Sequence, residues 1–343
     1  MATNQGTSMK AVVMEKYGAE DAIQIRHIPR PRITENEVLV EVYAAGVNPI
    51  DNKIRQGKMK PLLTFKLPLI LGTDIAGVVV EIGSNVSRFK KGDEVYASLS
   101  TSKMGAYAQY VPVNENDLAL KPKNMTFEEA SSIPLVGLTA YQAFHDVAHL
   151  APGQKILIKA GSGGVGSFAI QLAKAMGAKV ATTTSTENAG WVKQFGADHV
   201  IDYKTQKFEE VLNGYDVIFH TVDGEPAERG LNILKPGGHL LSIVGPPDVK
   251  FARSFGFNLL LQWVCGLLGW KINRLSGKVG VYYTFVFVAP SGRQLDEIRC
   301  LVEAGKIKPV IDRIYEMDQA REALSYVDLG RSKGKVVLRI ASR

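Results

Sequence analysis

The stretch "KILIKAGSGGVGSFAIQLAKAMG" (Lys155 to Gly177) joins a short apolar strand to a helix through a run of glycines. Gly161, Gly163 and Gly166 fit the pattern G-x-G-x-x-G. This pattern is specific when it lies after a predicted strand and before a predicted helix, as it does here. The stretch therefore predicts the strand–turn–helix unit of a dinucleotide-binding fold.

Each glycine of this turn has a predicted role that a side chain would prevent. Gly161 permits the tight turn, Gly163 lets the backbone approach a pyrophosphate, and Gly166 allows the helix to pack closely on the strand. The first amide groups of the helix would meet the phosphate charge, helped by the positive end of the helix dipole.

The pattern changes along the chain in a way that predicts two domains. From Lys155 to about residue 288, six short apolar strands alternate with helical stretches, which predicts a doubly wound parallel sheet. The first 130 residues alternate apolar and polar positions between turn clusters, which predicts an antiparallel sheet or barrel. The late stretches "IDRIYEM" and "GKVVLRI" are predicted to rejoin that sheet. We predict an α/β protein with domains at 1–132 with 289–343 and at 133–288.

The strand after the glycine turn lies in "KVATTTSTEN" (Lys179 to Asn188). NAD sites place an acid about 20 residues beyond the glycines, whereas NADP needs neutral or basic partners for its extra phosphate. Hydroxyls, which can donate to phosphate oxygens, stand at the end of this strand on Thr183, Thr184 and Ser185. Lys193 and Tyr203 are candidate helpers. The pattern favours NADPH. Glu187 is the evidence for NADH, because its carboxylate could bind a ribose.

Composition and charge exclude several classes of protein. The chain has 343 residues, 45% of them hydrophobic, and a formal net charge of +7. Its two cysteines, Cys265 and Cys300, exclude a disulfide framework and are expected to be buried thiols in a reducing compartment. The basic residues are scattered, so nucleic-acid binding is disfavoured. The N-terminus has no secretory-signal pattern, and we expect a cytoplasmic protein.

The segment "FNLLLQWVCGLLGW" (Phe257 to Trp270) is the most apolar part of the chain. It is shorter than the roughly 20 residues of a membrane-spanning helix. We expect a buried helix, a lid or a subunit contact. Its two tryptophans and the nearby Arg253, Lys271 and Arg274 leave an interfacial membrane helix as the alternative.

Four stretches together form a pattern that is specific to one family. They are "AAGVNPIDNKIRQG" (Ala44 to Gly57), "GTDIAGVVVEIGSNVSRFKKGDEV" (Gly72 to Val95), "GLTAYQA" (Gly137 to Ala143) and "AGSGGVG" (Ala160 to Gly166). In these stretches the chain resembles the medium-chain dehydrogenase/reductase superfamily, particularly its zinc-free quinone oxidoreductase branch. The resemblance covers nearly the whole length. It implies a GroES-like β-barrel catalytic domain formed by both chain ends, a Rossmann domain, a substrate cleft at their junction, and a homodimer.

The same resemblance bears on metal binding. Zinc-dependent relatives carry a cysteine and a histidine in the stretches that here read "GVNPIDNK" and "GTD". This chain has Asn48, Asp51, Thr73 and Asp74 in these stretches and lacks the four-cysteine structural lobe. Since no soft ligand remains, the sequence predicts no metal site and disfavours alcohol dehydrogenation on zinc.

Carried over position by position, the resemblance implies a set of cofactor contacts. The pyrophosphate contacts are Ser162, Gly163, Gly164, Val165 and Gly166, and the 2′-phosphate contacts are Ser185 and Tyr203. Asn48 and Thr139 approach the nicotinamide and its ribose. Phe287, in the predicted strand "FVFV" (Phe285 to Val288), lies beside the carboxamide, and "SKGK" closes over the cofactor through Lys333 and Lys335. This chain has Asn188 where some relatives have a basic phosphate contact.

Lys53 has two open interpretations. Some relatives have a tyrosine at this position. Lys53 follows Asn48 at a spacing that could put both at the cleft, where an ammonium could stabilise an enolate oxygen or donate a proton. Asn48 and Lys53 are therefore the candidate catalytic residues. Alternatively, Lys53 is a solvated surface lysine.

Two other groups of residues resemble catalytic sets. His145 and His149 in "HDVAH" are four residues apart, as in helical zinc sites, but a third ligand is missing, so surface or packing roles are favoured. Asp51 and Asp74 could form a general acid pair, but their motifs are equally typical of turns and strand packing, which we favour.

These features predict an NADPH-dependent, zinc-independent reductase of quinones or α,β-unsaturated carbonyl compounds, acting by hydride transfer on a small hydrophobic substrate. The alternative is an RNA-binding or membrane-associated member of the same branch with weak or no catalysis.

Overall fold

The computed structural model describes residues 8–63 and 65–341. The chain divides into two compact units, Met1–Leu138 with Ala289–Arg343, and Thr139–Val288. Both ends of the chain thus contribute to the first unit. The domain limits at 132/133 and 288/289 remain predictions from the sequence.

Strands and helices alternate along the described residues. The strands are β1 (Ser8–Met14), β2 (Ile23–Pro29), β3 (Glu37–Val47), β4 (Leu69–Ile70), β5 (Asp74–Ile82), β6 (Glu94–Ser98), β7 (Tyr110–Asn114), β8 (Leu118–Leu120), β9 (Lys155–Ile158), β10 (Lys179–Thr184), β11 (His199–Asp202), β12 (Tyr215–His220), β13 (Leu234–Ser242), β14 (Tyr282–Phe285), β15 (Ile311–Glu316) and β16 (Lys335–Arg339). The α-helices are α1 (Pro49–Arg55), α2 (Phe127–Ser131), α3 (Pro134–Tyr141), α4 (Gly164–Ala175), α5 (Ala189–Lys193), α6 (Phe208–Val211), α7 (Val249–Ser254), α8 (Leu259–Lys278), α9 (Gly292–Glu303) and α10 (Ala320–Asp328).

The first unit is built on a mainly antiparallel sheet in the order β15-β16-β3-β5-β6-β8, with β7 also paired to β3. A second sheet has the order β2-β1-β4. The predicted return of the late strands is confirmed, because β16 pairs antiparallel with β3, with Val336 opposite Val47. Alternating residues of β3, among them Val38, Val40 and Val42, are buried in the core of this unit. The pairing of β16 brings the end of the chain beside the end of β3.

The second unit is a six-stranded parallel sheet in the order β11-β10-β9-β12-β13-β14. This order confirms the predicted doubly wound sheet. The strands that follow β9 are added first on one side of it, as β10 and β11, and then on the other side, beginning with β12. In such folds, ligands bind at this switch point, beyond the carboxyl ends of the strands. The site residues of this unit therefore follow β9, β10 and β12.

The last strand of this sheet is shorter than predicted. The expected strand "FVFV" is wrong beyond Phe285, because β14 ends there opposite Ser242, the last residue of its neighbour β13. The Val286 N–H still donates to the Ser242 carbonyl at 2.8 Å, but Phe287 lies after the strand. Phe287 instead packs on Phe251 and Phe255, with ring centroids 5.5 and 4.8 Å apart.

One burial prediction is wrong, and one of the alternatives for the apolar segment does not hold. Cys300 is exposed, because α9 turns Leu295, Ile298 and Val302 inward and leaves Cys300 outside. Cys265 is buried as expected. The apolar segment that begins at Phe257 is not a buried helix, since α8 exposes most of its large apolar side chains. In the described part of the chain, no helix is both long enough and apolar enough to cross a membrane.

Candidate active site

The glycine turn connects β9 to α4 in the second unit. Gly163 caps α4 in an extended conformation, and its carbonyl accepts the first helical hydrogen bond from the Ser167 N–H at 2.9 Å. The N–H groups of the first helical turn have no carbonyl partner within a helix, and the positive end of the dipole lies there. Ser162, Gly164 and Val165 are partly exposed at this end of the helix. The turn can therefore hold an anion.

The three glycines of the motif differ in what surrounds them. A Cβ atom on Gly161 would lie 2.2 Å from the Thr182 hydroxyl oxygen, and one on Gly166 would lie 2.2 Å from the Ala160 carbonyl oxygen. On Gly163, a Cβ would meet only the Ala160 carbonyl oxygen, at an ordinary 3.5 Å. Gly161 and Gly166 are thus required by the protein's own packing. Gly163 is not, so the space beside it fits a bound pyrophosphate.

The backbone of the turn is also strained at one residue. Ala160, directly before Gly161, has a φ of 53°. Left-handed conformations of this kind cost a non-glycine residue roughly 1 to 2 kcal/mol and are typical of functional sites. Ala160 is held there by its neighbours, since its N–H donates to the Thr183 hydroxyl at 3.2 Å.

Beyond β10, buried polar atoms remain without partners. The Thr184 hydroxyl and the Asn188 side-chain oxygen are buried and have no hydrogen-bond partner among the described residues. The Asn188 amide donates to the Ser185 hydroxyl at 3.2 Å, and Ser185 is itself buried. Unpaired buried polar groups are costly and mark positions where a ligand or water completes the hydrogen bonding. The strand end therefore fits a polar ligand group.

The carboxylates near this strand end are engaged elsewhere. Glu187 accepts a hydrogen bond from the Lys204 ammonium at 3.0 Å, and Asp202 accepts hydrogen bonds from the Thr186 hydroxyl and the Lys204 N–H. The hydrogen bond from Thr186 is the main reason that the pKa of Asp202 lies below its usual range. Tyr203, the residue between Asp202 and Lys204, is exposed. Lys204 is a cation at this site that the sequence analysis missed; its position next to Tyr203 was the available signal.

Two further titratable groups lie at the carboxyl ends of the central strands. Lys159 follows β9, is buried, and donates to the Glu225 carboxylate at 2.8 Å while its Nζ lies 3.8 Å from the centroid of the Phe208 ring. His220 ends β12 and is also buried. Burial lowers the pKa of both groups. Both were missed by the sequence analysis, although each is a polar residue that closes an apolar strand.

In the first unit, the predicted site residues Asn48 and Lys335 form one buried polar cluster with Asp74. The Lys335 ammonium donates to the Asn48 side-chain oxygen and lies 3.3 Å from Asp74 Oδ2 and 3.4 Å from the Val47 carbonyl oxygen. The Asn48 amide donates to the same Asp74 oxygen at 3.0 Å. The other oxygen of Asp74 accepts the Leu135 N–H at 2.9 Å. We call Asn48, Asp74 and Lys335 the ammonium cluster.

Asp51 lies beside this cluster, at the third position of α1. Its Oδ2 accepts the Asn48 backbone N–H at 2.8 Å and the Tyr107 hydroxyl at 2.6 Å. Burial raises the pKa of Asp51 to about 7. Burial also raises the pKa of Asp74, and the Lys335 ammonium opposes that rise. The favoured structural role of Asp51 as a turn residue is supported, since it caps α1.

The donor atoms of the ammonium cluster do not suit zinc. The lysine ammonium is surrounded by one carboxylate oxygen, the Asn48 side-chain oxygen and the Val47 carbonyl oxygen, and the hydrogen bonds among the described residues include no thiolate or imidazole there. Structural and catalytic zinc sites are built mainly from cysteine and histidine. Over residues 8–63 and 65–341, no three His, Cys, Asp or Glu side chains are grouped so as to hold a metal ion. The cation in this cluster is Lys335.

The remaining predicted residues lie in separate places. Thr139 is buried at the start of the second unit, and Lys53 is half-buried on α1. Lys333 is exposed, and its N–H donates to Asp312 Oδ2 at 2.9 Å, so it does not join Lys335. His145 and His149 are exposed, and their rings bond to Asp146 and to the His145 carbonyl, each at 2.8 Å.

Comparisons with known proteins agree with this architecture. The family model "Alcohol dehydrogenase GroES-like domain" matches residues 34–123, and "Zinc-binding dehydrogenase" matches residues 195–338. The "NAD(P)H oxidoreductase RTN4IP1, mitochondrial" of Mus musculus is 37% identical, over 98% of this chain and 90% of that protein. The "NADPH-dependent alkenal/one oxidoreductase, chloroplastic" of Arabidopsis thaliana is 35% identical, over 96% of this chain and 79% of that protein.

A solved structure shows the same fold over the whole length. The quinone oxidoreductase of Coxiella burnetii superposes with a TM-score of 0.82 at 28% identity, covering 97% of this chain and 100% of that one. A glycine turn on a six-stranded parallel sheet, combined with a GroES-like unit made from both chain ends, defines a two-unit dehydrogenase or reductase fold. The chain belongs to the medium-chain dehydrogenase/reductase superfamily, in its quinone oxidoreductase branch. The predicted GroES-like and Rossmann fold classes are thereby confirmed.

Proposed function

We propose that the chain is an NADPH-dependent oxidoreductase that reduces quinones or α,β-unsaturated carbonyl compounds without zinc. The observation that carries this proposal is the strand end of β10, where the Thr184 hydroxyl is buried without a partner among the described residues and lies next to the buried Ser185. A phosphate group on the ribose would find hydroxyl donors there, while Glu187 is engaged by Lys204. This environment favours NADPH over NADH.

The substrate class rests on the chemistry that the relatives' names share. Besides the proteins above, a "2-methylene-furan-3-one reductase" of Solanum lycopersicum is 35% identical over 97% of this chain. Quinones, alkenals, alkenones and methylene-furanones all have an electron-poor carbon conjugated with a carbonyl group. Reduction of such a carbon leaves negative charge on the carbonyl oxygen, so the protein must stabilise an oxyanion and supply a proton.

Bound NADPH supplies the hydride in this reaction. The amides of the glycine turn hold the pyrophosphate, and the hydroxyls after β10 hold the 2′-phosphate, so that the cofactor is oriented before reaction. Lys53 stabilises the developing oxyanion and donates the proton. Asn48 is kept in one orientation by Asp74 and Lys335, which engage both ends of its amide. Asp74 and Lys335 therefore act as positioning residues for Asn48.

The variant Ser185→Asp tests the cofactor assignment. An added carboxylate would repel a phosphate, so kcat/KM with NADPH should fall about 10- to 100-fold, while kcat/KM with NADH is retained or rises. Oxidation of both cofactors would be followed with a quinone, an enone and an enal. Ser84→Asp adds the same charge to an exposed position of the first unit and serves as the control. An unchanged ratio of the two kcat/KM values would contradict the assignment, and no turnover with any substrate would contradict the proposed function.

The homodimer and the cytoplasmic location stay predictions from the sequence. The relative from Mus musculus is named as a mitochondrial protein and the alkenal/one oxidoreductase of Arabidopsis thaliana as a chloroplastic one.

A further inference from the structure

Helix α8 exposes most of its large apolar side chains and buries mainly small ones. Cys265, Gly269, Ile272 and Ser276 are buried on its inner side. Six leucines and tryptophans on the opposite side are between 56% and 83% exposed. We call these six residues the α8 face; they are Leu259, Leu260, Trp263, Leu267, Leu268 and Trp270. This arrangement reverses that of an ordinary surface helix, whose apolar side faces the core.

The inner contacts of α8 fix this orientation. A Cβ atom on Gly269 would lie 3.0 Å from the Pro247 carbonyl oxygen, and one on Gly266 would lie 3.0 Å from Val249 Cγ2. The Asn273 amide also donates to the Gly269 carbonyl at 2.9 Å along this helix. The space beneath Gly266 and Gly269 therefore has little room for a larger side chain. Turning the α8 face inward at these two positions would place leucine or tryptophan against the Pro247 carbonyl and Val249.

Basic residues predominate around this face, although Glu228, from another part of the chain, accepts a hydrogen bond from Lys271 at 2.6 Å. Between Asp248 and Asp296 the sequence contains no acidic residue. It contains six basic residues, so this segment has a formal charge of +6, compared with +7 for the whole chain. They are Lys250, Arg253, Lys271, Arg274, Lys278 and Arg293. The first five are exposed, and they lie on α7 and on the last turns of α8.

Apolar and basic residues are separated along the axis of α8. Every residue of the α8 face lies within Leu259–Trp270, which is about 18 Å of helix. The basic residues of α8 begin directly after it, at Lys271. The Arg274 guanidinium lies 5.1 Å from the centroid of the Trp270 ring, so an aromatic ring and a cation meet at the boundary. Tryptophan beside lysine and arginine is typical of helices at the level of lipid headgroups.

We propose that the α8 face docks on the surface of a lipid bilayer that contains anionic headgroups. The first three turns of α8 enter the boundary between headgroups and acyl chains, and Arg274 and Lys278 contact the anionic headgroups. The apolar length is too short to span the bilayer, so the helix inserts into one leaflet only. This inference does not rest on the proposed reductase function.

A bilayer explains the charge better than a second copy of this chain. In a parallel pair of α8 helices, the basic ends would oppose each other. In an antiparallel pair, the basic end of one helix would cover the apolar start of the other. Neither arrangement brings an acid of α7 or α8 to Arg274 or Lys278, because these two helices contain none. Anionic lipids supply that missing charge and the apolar phase together.

The experiment uses the full chain with Trp191→Phe, so that Trp263 and Trp270 are the remaining tryptophans. Binding is measured by flotation with vesicles of phosphatidylcholine alone or with about 30% phosphatidylglycerol, and insertion by quenching of tryptophan fluorescence with brominated lipid. We expect binding to the anionic vesicles, weakening at high salt, and quenching of both tryptophans. Free phosphate should not compete.

Two variants and two controls decide the outcome. Leu260→Gln with Trp263→Gln should weaken binding at least about tenfold, and Arg274→Gln with Lys278→Gln should weaken it by a similar factor only on anionic vesicles. The two controls change exposed residues of the first unit and should bind vesicles as the parent does. One is Leu329→Gln, and the other is Lys90→Gln with Lys91→Gln.

All four variants change exposed side chains, so folding should be retained, which far-UV circular dichroism checks. Equal flotation of the Leu260/Trp263 variant and its parent would overturn the proposal. A second outcome would also overturn it: the parent does not float and sediments as a dimer, and the Leu260/Trp263 variant sediments as a monomer. In that case a second copy of the chain covers the α8 face.

Discussion

The buried carboxyl of Asp51 is expected to make the protein less stable as the pH rises. Its Oδ2 accepts hydrogen bonds from the Asn48 N–H and the Tyr107 hydroxyl, and its Oδ1 has no partner among the described residues. Burial raises the pKa of Asp51 from 3.8 to about 7; the charge of Asp74 adds to this rise, and Lys335 opposes it. The folded protein therefore keeps a proton on Asp51 that the unfolded chain has lost.

The sign and the size of the effect follow from proton linkage. Below about pH 4, Asp51 is protonated in both states. Between about pH 4 and about pH 7 the unfolded chain releases the proton while the folded protein retains it, so the free energy of unfolding falls as the pH rises. Above the folded pKa both states are ionised and the effect is constant. At 1.36 kcal/mol per pKa unit, the loss between pH 5 and pH 8 is about 2 to 3 kcal/mol.

The variant Asp51→Asn removes this titration and keeps an oxygen that can accept from Asn48 and Tyr107. The free energy of unfolding is measured by urea titration with far-UV circular dichroism. Between pH 5 and pH 8, that of the variant should fall by about 2 to 3 kcal/mol less than that of the wild type. Asp328→Asn, an exposed carboxyl of the same unit, is the matched control. If the wild type and Asp51→Asn lost stability in parallel, Asp51 would not be the group that holds the proton.

Two further predictions concern the ammonium cluster and the glycine turn. Lys335→Met leaves Asp74 buried without its cation, so urea unfolding should show a loss of about 3 to 5 kcal/mol, and Lys335→Met with Asp74→Asn should recover most of it. An equal loss in both variants would contradict the ion pair. Gly166→Ala should destabilise the protein by about 3 kcal/mol, because its Cβ would meet the Ala160 carbonyl oxygen at 2.2 Å. Gly163→Ala should keep the melting temperature but weaken NADPH binding in a fluorescence titration, and unchanged binding would count against the pyrophosphate assignment.

Local patterns were sufficient to predict the Rossmann unit. The glycine turn needs only contiguous residues, since Gly161 and Gly166 serve the packing of the strand and helix directly beside them. The six parallel strands were also predictable, because each is a short apolar run between turn residues. Where the prediction was wrong, at Phe287, the end of the strand was set by its neighbour β13, which the local pattern of "FVFV" does not contain.

The contacts of the first unit depended on residues far apart in the chain. Asn48, Asp74 and Lys335 were each singled out from the sequence, but for separate reasons, and Lys335 was expected at the cofactor. Only the pairing of β16 with β3 puts the Lys335 ammonium on Asn48, 287 positions away. The contact between the Tyr107 hydroxyl and Asp51 could not be predicted, because the sequence around Tyr107 is typical of an ordinary loop.

The sequence by itself determined the fold class, the place of the glycine turn and the hydroxyls after β10, because these depend on neighbours along the chain. Tertiary structure alone decided which groups lost water. Burial raises the pKa of Asp51, encloses the Lys335 ammonium, and leaves the Thr184 hydroxyl without a partner in the described part of the chain. It also decided that α8 presents leucine and tryptophan outward. The apolar run does not indicate which side of the helix packs against the protein. The close contacts of Gly266 and Gly269 show that their side does.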